Sequence, residues 1–155
     1  MDPRIPNEAF SDSSEPIDFV SEDIDFELST TPALESWVKT IIARENCRLG
    51  FLNFIFCTDA YLLNLNEEYL GHDTLTDIIT FPYQPPPVIE GDIFISIERV
   101  RENAQAYAVS FEEELHRVMI HGVLHLCGYK DKSEEEEAAM RRKEDEALSL
   151  LRPMA

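Results

Sequence analysis

His121-Gly122-Val123-Leu124-His125-Leu126-Cys127-Gly128-Tyr129-Lys130-Asp131 places two imidazoles four residues apart and a carboxylate just past a glycine. Residues at i and i+4 share one helical face, so His121 and His125 can aim ring nitrogens at a single ion, at about 2.0–2.1 Å for zinc. Gly128 falls where a helix C-terminal glycine takes the left-handed conformation and turns the chain back, which brings Asp131 within reach as a third ligand. Val118, Met119, Ile120, Val123, Leu124 and Leu126 make this helix apolar nearly all round. It is therefore predicted to be buried, and buried imidazoles need partners. Without the glycine stop and the carboxylate, two core histidines bonded to backbone carbonyls would be the better explanation of the spacing. The zinc-peptidase signature His-Glu-x-x-His carries its general base beside the first ligand. Gly122 stands there instead, which argues against peptidase chemistry.

This stretch resembles the signature of the YbeY-type endoribonucleases, also called rRNA maturation factors: His-Gly-x-Leu-His-Leu-x-Gly-Tyr-Asp-His, matched from His121 through Tyr129. Three further blocks are similar to the family's, in the same order: Leu65-Asn66-Glu67-Glu68-Tyr69-Leu70-Gly71-His72-Asp73, Thr76-Asp77-Ile78-Ile79-Thr80-Phe81-Pro82, and Gly91-Asp92-Ile93. The resemblance covers most of the chain after about residue 17. It implies three metal ligands, His121, His125 and, at the position of the family's third histidine, Asp131, holding one Zn2+ per chain. Aspartate is an ordinary zinc ligand at about 2.0–2.2 Å, but its harder oxygen makes manganese or another divalent ion more competitive. The resemblance further implies a metal-dependent, single-strand-specific endoribonuclease that matures the 3′ end of 16S rRNA in ribosome biogenesis and quality control. Its partners would be ribosomal RNA and small-subunit proteins, in the cytoplasm and away from membranes.

One departure bears on that activity. Leu70 follows Tyr69 where the family usually carries an arginine that engages the RNA backbone, so a different cation has to make that contact. Lys130 and Lys132, flanking Asp131, are the candidates for charge stabilisation. Leu70 also favours an alternative reading, a non-catalytic, metal-stabilised ribosome assembly factor; a metal-dependent hydrolase of a small substrate has only the metal site behind it. Three protein ligands leave a fourth position for water, as in catalytic zinc sites, where zinc lowers the pKa of that water to about 7 or polarises a phosphoryl oxygen. Either water or the RNA's own 2′-hydroxyl can be the attacking group. His72 and Asp73 read equally well as lining this site or as loop residues. His116 points to another helical face, and Tyr129 reads as packing.

At 155 residues the chain has the length of one domain and can bury roughly 68–70% of its unfolded surface. Cys47, Cys57 and Cys127 are odd in number and lack Cys-x-x-Cys spacing, as expected of reduced thiols in a cytosol. The N-terminus has no basic region followed by an apolar stretch, and no run approaches the roughly 18 apolar residues of a membrane span, so the reading is of a soluble, unsecreted protein. The net charge of −18 opposes a polyanionic substrate at long range. Residues 1–30 hold nine acids against one base, residues 31–130 fourteen against seven, and residues 131–146 eight against four. Any RNA contact must therefore be local. Lys39, Arg44, Arg48, Arg117, Arg141 and Arg142 each read as solvated surface charges.

Residues 1–16, rich in Pro, Ser, Asp and Glu, are expected to form a mobile acidic tail, and residues 17–155 one nuclease-like domain. A first strand lies within 17–28. Thr31 as N-cap and Pro32 at the first helical position open a helix carrying Leu34, Trp37, Val38, Ile41 and Ile42 at helical period. A buried strand over 52–57 precedes a helix capped by Thr58 or Asp59 that runs to about Tyr69. Strands are predicted at 77–83 and 91–97, separated by the extended Pro85-Pro86-Pro87 loop. A helix over 98–109 follows. Ser110 and Glu113 form a capping box for the metal helix, and Ser133 starts a last, charged helix with a Glu137–Arg141 pair. The class is α+β: a single small domain with about four strands packed by about five helices, its metal-binding helix near the C-terminal third.

Overall fold

The computed structural model describes residues 16–71 and 76–152. All but the last residue of the acidic segment 1–16 lies outside the described residues, as do His72 and Asp73. The elements are β1 (Ile17–Ser21), α1 (Thr31–Arg44), β2 (Arg48–Cys57), α2 (Asp59–Leu65) running on into a π-helical turn (Asn66–Leu70), β3 (Ile78–Pro82), β4 (Val88–Ser96), α3 (Ile97–Tyr107), α4 (Phe111–Leu126) and α5 (Glu134–Leu151). The four strands form one mixed sheet in the order β1-β2-β4-β3, with β1 and β4 parallel to β2 and β3 antiparallel to β4. This is the expected α+β class with five helices.

The central position of β2 follows from its sequence. Leu52, Phe54, Ile55, Phe56 and Cys57 are all buried, the continuous apolar run of a strand covered on both faces. One face carries the main core, where Ile89, Ile93 and Ile95 of β4 meet Leu34, Trp37 and Val38 of α1 and Met119, Ile120 and Val123 of α4. The other face is covered by α2, with Leu62 against Cys57 and Ile79 and Tyr61 stacked on Phe94. Helix α4 lies at the centre because Gly122 lets it approach the sheet closely: a Cβ there would sit 2.9 Å from Ile78 Cδ1 and 3.0 Å from Ile93 Cδ1 and Cγ2. Trp37 Nε1 donates to the Ala147 carbonyl at 2.7 Å and ties α1 to α5 across this core.

Several boundaries differ from the sequence expectation, for local reasons. β1 stops at Ser21 because Asp23 takes a left-handed conformation (φ 46°) and its carboxylate accepts from Thr58 N and Oγ1, which docks this turn on the start of α2. β2 begins four residues earlier than the apolar run, since Arg48 N donates to the Pro87 carbonyl and pairing starts there. At α1 the cap is Thr30 and not Thr31. Thr30 is left-handed, its hydroxyl donates to the Ser29 carbonyl, and it makes no side-chain cap. Thr58 does cap α2. Ser110 caps α4 by accepting from Glu113 N, without a reciprocal bond from Glu113. The full capping box belongs to Ser133 and Glu136 on α5, and Glu137–Arg141 is not among the ion pairs of the described residues.

Candidate metal centre

Helix α4 ends as its sequence requires. Gly128 has φ +113°, Gly128 N donates to the His125 carbonyl and Tyr129 N to the Leu124 carbonyl, each at 3.0 Å, which is the paired bonding of a Schellman turn. The reversed chain carries Asp131 back over the helix. Its Oδ2 lies 3.3 Å from His121 Nε2 and 3.4 Å from His125 Nε2. One ligand atom from each of the three residues falls within 4.8 Å of the other two, a group that can hold a metal ion.

The far side of each imidazole fixes which nitrogen faces this point. His121 Nδ1 is 2.6 Å from Glu144 Oε2 and His125 Nδ1 is 2.9 Å from the Tyr129 carbonyl oxygen. An ionised carboxylate and a carbonyl only accept, so both Nδ1 atoms carry the proton. In the neutral rings both Nε2 lone pairs then face the Asp131 carboxylate. Three acceptors converge with no donor between them, an arrangement that is repulsive until a cation or an added proton enters. The donor set, two imidazole nitrogens and one carboxylate oxygen each braced from behind, suits zinc or a harder divalent ion. Side-chain exposures of 22% for His121, 27% for His125 and 38% for Asp131 leave the point open to solvent on one side, unlike a closed structural site.

Glu144 is itself held in place. It is 4% exposed, and its other oxygen accepts from Arg117 Nη1 at 3.0 Å while Arg117 Nη2 reaches Asp145 at 2.8 Å. Burial, the largest single influence on His121, lowers its pKa. The Glu144 hydrogen bond and charge, with Asp131 and Asp77, outweigh it, and the net shift is upward. The centre opens into a cavity of about 760 Å³ that also contains Asp77, Glu114, Glu134, Glu137 and Arg141. Burial holds the Asp77 carboxyl above the ordinary carboxylate range, with His121 pulling the other way. Glu114 is raised by burial and then by Asp77.

Of the residues singled out in the sequence, His121, His125 and Asp131 come together. Lys130 is exposed and lines a separate groove that meets the cavity at His125. Lys132 is exposed and lines neither; its backbone N–H donates to Glu136. Arg117 is not the solvated charge its sequence context suggests, because it sits in the double ion pair with Glu144 and Asp145. His116 packs edge-on to Trp37. Tyr129 donates its hydroxyl to Glu45 at 2.7 Å, and its carbonyl holds His125. All three cysteines are free; Cys57 is buried, which with the nearby Asp23 and Asp59 pushes its thiol up to about 12. No helix among the described residues is long and apolar enough to cross a membrane. Glu144 was missed, yet it carried a signal: it falls on the apolar stripe Met140, Ala147, Leu148, Leu151 of α5, and a carboxylate there demands a partner. Glu114 shares a face of α4 with Val118, His121 and His125 by the same arithmetic.

Comparison with known proteins bears on the whole chain. The family model described as "Endoribonuclease YbeY" matches residues 17–152. A Flavobacterium psychrophilum relative named "Endoribonuclease YbeY" is 59% identical over 128 residues, 83% of this chain and 91% of the relative. One from Cytophaga hutchinsonii with the same name is 49% identical over 137 residues, 88% and 96% of the two chains. The solution structure of a Thermotoga maritima protein superposes with a TM-score of 0.61 at 28% identity, covering 88% of this chain and 92% of that one. Matches that run nearly end to end on both sides, in sequence and in fold, place the chain in the YbeY endoribonuclease family.

Proposed function

We propose that this protein is a metal-dependent endoribonuclease specific for single-stranded RNA, with His121, His125 and Asp131 as metal ligands and residues 17–155 as its catalytic domain behind an acidic tail, 1–16. The observation that carries the reading is the convergence of two Nε2 lone pairs on the Asp131 carboxylate, each ring locked by a proton on its far nitrogen. When bound, a zinc or similar divalent ion supplies Lewis-acid activation of water or of a phosphoryl oxygen. The chain's own residues do the rest. Glu144 fixes the His121 tautomer and is fixed by Arg117. Glu114, 5% exposed and lining the cavity without a side-chain hydrogen bond among the described residues, can take or give a proton at the scissile bond. Arg141 lines the cavity and makes no short ion pair among the described residues, so it can offset phosphate charge where Leu70 cannot. Lys130, at the rim beside His125, is the second candidate for that role, and Lys132 the weakest. The physiological substrate on this reading is the 3′ region of 16S rRNA, met on the ribosome in the cytoplasm during subunit maturation and quality control.

The test is cleavage of single-stranded and duplex RNA by purified protein stripped by chelator and then given Zn2+ or Mn2+. Cleavage of the single strand alone, lost with chelator and restored by metal, is the expected result. A second reading, a metal-stabilised assembly factor without catalysis, is favoured by the excess of carboxylates in the cavity and by the apolar, exposed Leu70. Metal-loaded protein that binds ribosomal particles and cleaves no RNA would establish it instead.

A further inference from the structure

Two concavities meet at the metal centre, and they differ in kind. Among the described residues the 760 Å³ cavity is lined by six carboxylates against two guanidinium groups, a poor bed for a polyanion beyond the one phosphate that a metal neutralises. On the other side of His125 lies a groove of about 590 Å³ with no carboxylate among the described residues of its wall. It is bounded by Pro82, Tyr83, Pro86 and Tyr129, with Lys130 as the one cation among its described residues. His125 is the residue the two share. A single strand whose scissile phosphate sits at the histidines meets repulsion in one direction and a flat, apolar, weakly cationic surface in the other.

The groove is also built to keep its shape. Tyr83 is 55% exposed yet immobilised. Its hydroxyl donates to Asp92 at 2.5 Å and its ring stacks on Phe51 at 5.9 Å and 28°. Across the groove, Gly128 neighbours Pro86, such that an added Cβ would be 3.5 Å from Pro86 Cγ, so the turn that presents Asp131 and the proline loop are side by side. An exposed aromatic ring fixed by its own hydrogen bond loses little entropy when a second ring stacks on it. Single-stranded RNA is recognised by such stacking with little sequence preference. Lys130 places a cation at this rim.

We propose that the groove between the Pro82–Pro86 loop and the Gly128–Lys130 turn is a nucleoside subsite. It seats the base next to the scissile phosphate against Tyr83, while Lys130 faces the adjoining phosphate. The inference rests on the nuclease reading for the position of that phosphate. It explains single-strand preference, since a base held in a duplex stack cannot enter the groove.

The full-length protein is tested with a single-stranded RNA whose cleaved bond has been mapped, and with two versions carrying an abasic ribonucleotide immediately 5′ or 3′ of that bond. Removing the base on one side only is expected to lower kcat/KM about tenfold or more, the usual worth of one stacked base. Tyr83→Ala should lose the same factor and become indifferent to that abasic site, whereas Tyr83→Phe, which keeps the ring and its stack on Phe51 but loses the bond to Asp92, should fall between the two and stay sensitive to that abasic site. Equal kcat/KM for both abasic substrates and the intact strand, or a Tyr83→Ala variant that cleaves like wild type, overturns the subsite. Binding is read separately from cleavage, on metal-loaded protein before turnover, from the fluorescence of 2-aminopurine placed in turn at each position of the strand. Quenching that disappears in Tyr83→Ala supports the subsite even if no RNA is cleaved, in which case only the nuclease reading fails. Quenching that survives in Tyr83→Ala, or none at all, overturns the subsite whatever the activity.

Discussion

At the residue scale, Glu144 has the most consequential chemistry outside the ligand set, because one buried carboxylate serves both His121 Nδ1 and Arg117 Nη1. Glu144→Ala leaves the half-buried Arg117 guanidinium paired to Asp145 alone and frees the imidazole to rotate. Because Asp145 still pairs Arg117, the stability loss stays below the about 3–5 kcal/mol of stranding one partner of a fully buried pair, while loss of such a brace weakens metal affinity about 10–100-fold; thermal melts and a competition titration against a zinc chelator check both. A Glu144→Ala protein that keeps its zinc affinity would mean that the histidines are oriented by packing alone. His121 also gives a pH dependence. Its folded pKa is raised, so in metal-free protein its contribution to stability is complete below the unfolded value of about 6.5 and is lost as pH rises through the folded value. A metal needs the neutral ring and works in the opposite sense. The gain in Tm on adding zinc is therefore expected to be larger at about pH 8 than at about pH 6, and a gain independent of pH would remove His121 from the ligand set. For Glu114, Glu114→Gln should depress kcat and leave metal content unchanged, as measured by metal analysis beside single-turnover cleavage; unchanged kcat would leave it a buried acid without a catalytic part.

At the element scale, the site depends on how closely α4 lies against the sheet. Gly122→Ala would gain up to about 1 kcal/mol of helix propensity, but the added methyl meets Ile78 and the fully buried Ile93 at 2.9–3.0 Å. Overpacking of that kind costs about 1–3 kcal/mol, so the steric term wins. A net loss of on the order of 1 kcal/mol should lower Tm by about 2–4 °C for a chain of this size, with weaker zinc binding because His121 moves with the helix. A raised Tm would show that β3 yields freely. The same helix shows what spacing made legible. His121 and His125 on one face, the Gly128 stop and the apolar surround were readable from the sequence, because each is a property of one helix and its turn. The partners of the two Nδ1 atoms were not equally readable. Tyr129 supplies a backbone carbonyl, which every residue has, and Glu144 comes from a different helix.

At the scale of the whole molecule, a net charge of −18 faces a polyanion. Repulsion of this kind is screened over about 30 Å at 0.01 M salt and about 10 Å at 0.1 M. The association rate with single-stranded RNA should therefore rise between those two ionic strengths, opposite to the behaviour of a basic nucleic-acid-binding protein. Stopped-flow fluorescence with labelled RNA measures it. A rate that falls with salt would mean that a local cationic face outweighs the net charge of −18.

The sequence by itself determined the α+β class, the buried helix of His121 and His125, the His121–His125–Asp131 constellation and the family resemblance, because these rest on periodicity, on one glycine turn and on short ordered blocks. Element ends shifted by up to a few residues, since capping depends on hydroxyl orientation at Thr30 and on a carboxylate borrowed from Asp23 at the start of α2. Only the tertiary structure decided that Arg117 is consumed by Glu144 and Asp145, that Arg141 and not Lys132 lines the cavity, and that His125 stands between an acidic cavity and an apolar groove. Those are juxtapositions of α4 with α5 and of the Gly128 turn with the proline loop, across sequence separations at which periodicity carries no information and only packing chooses the neighbour.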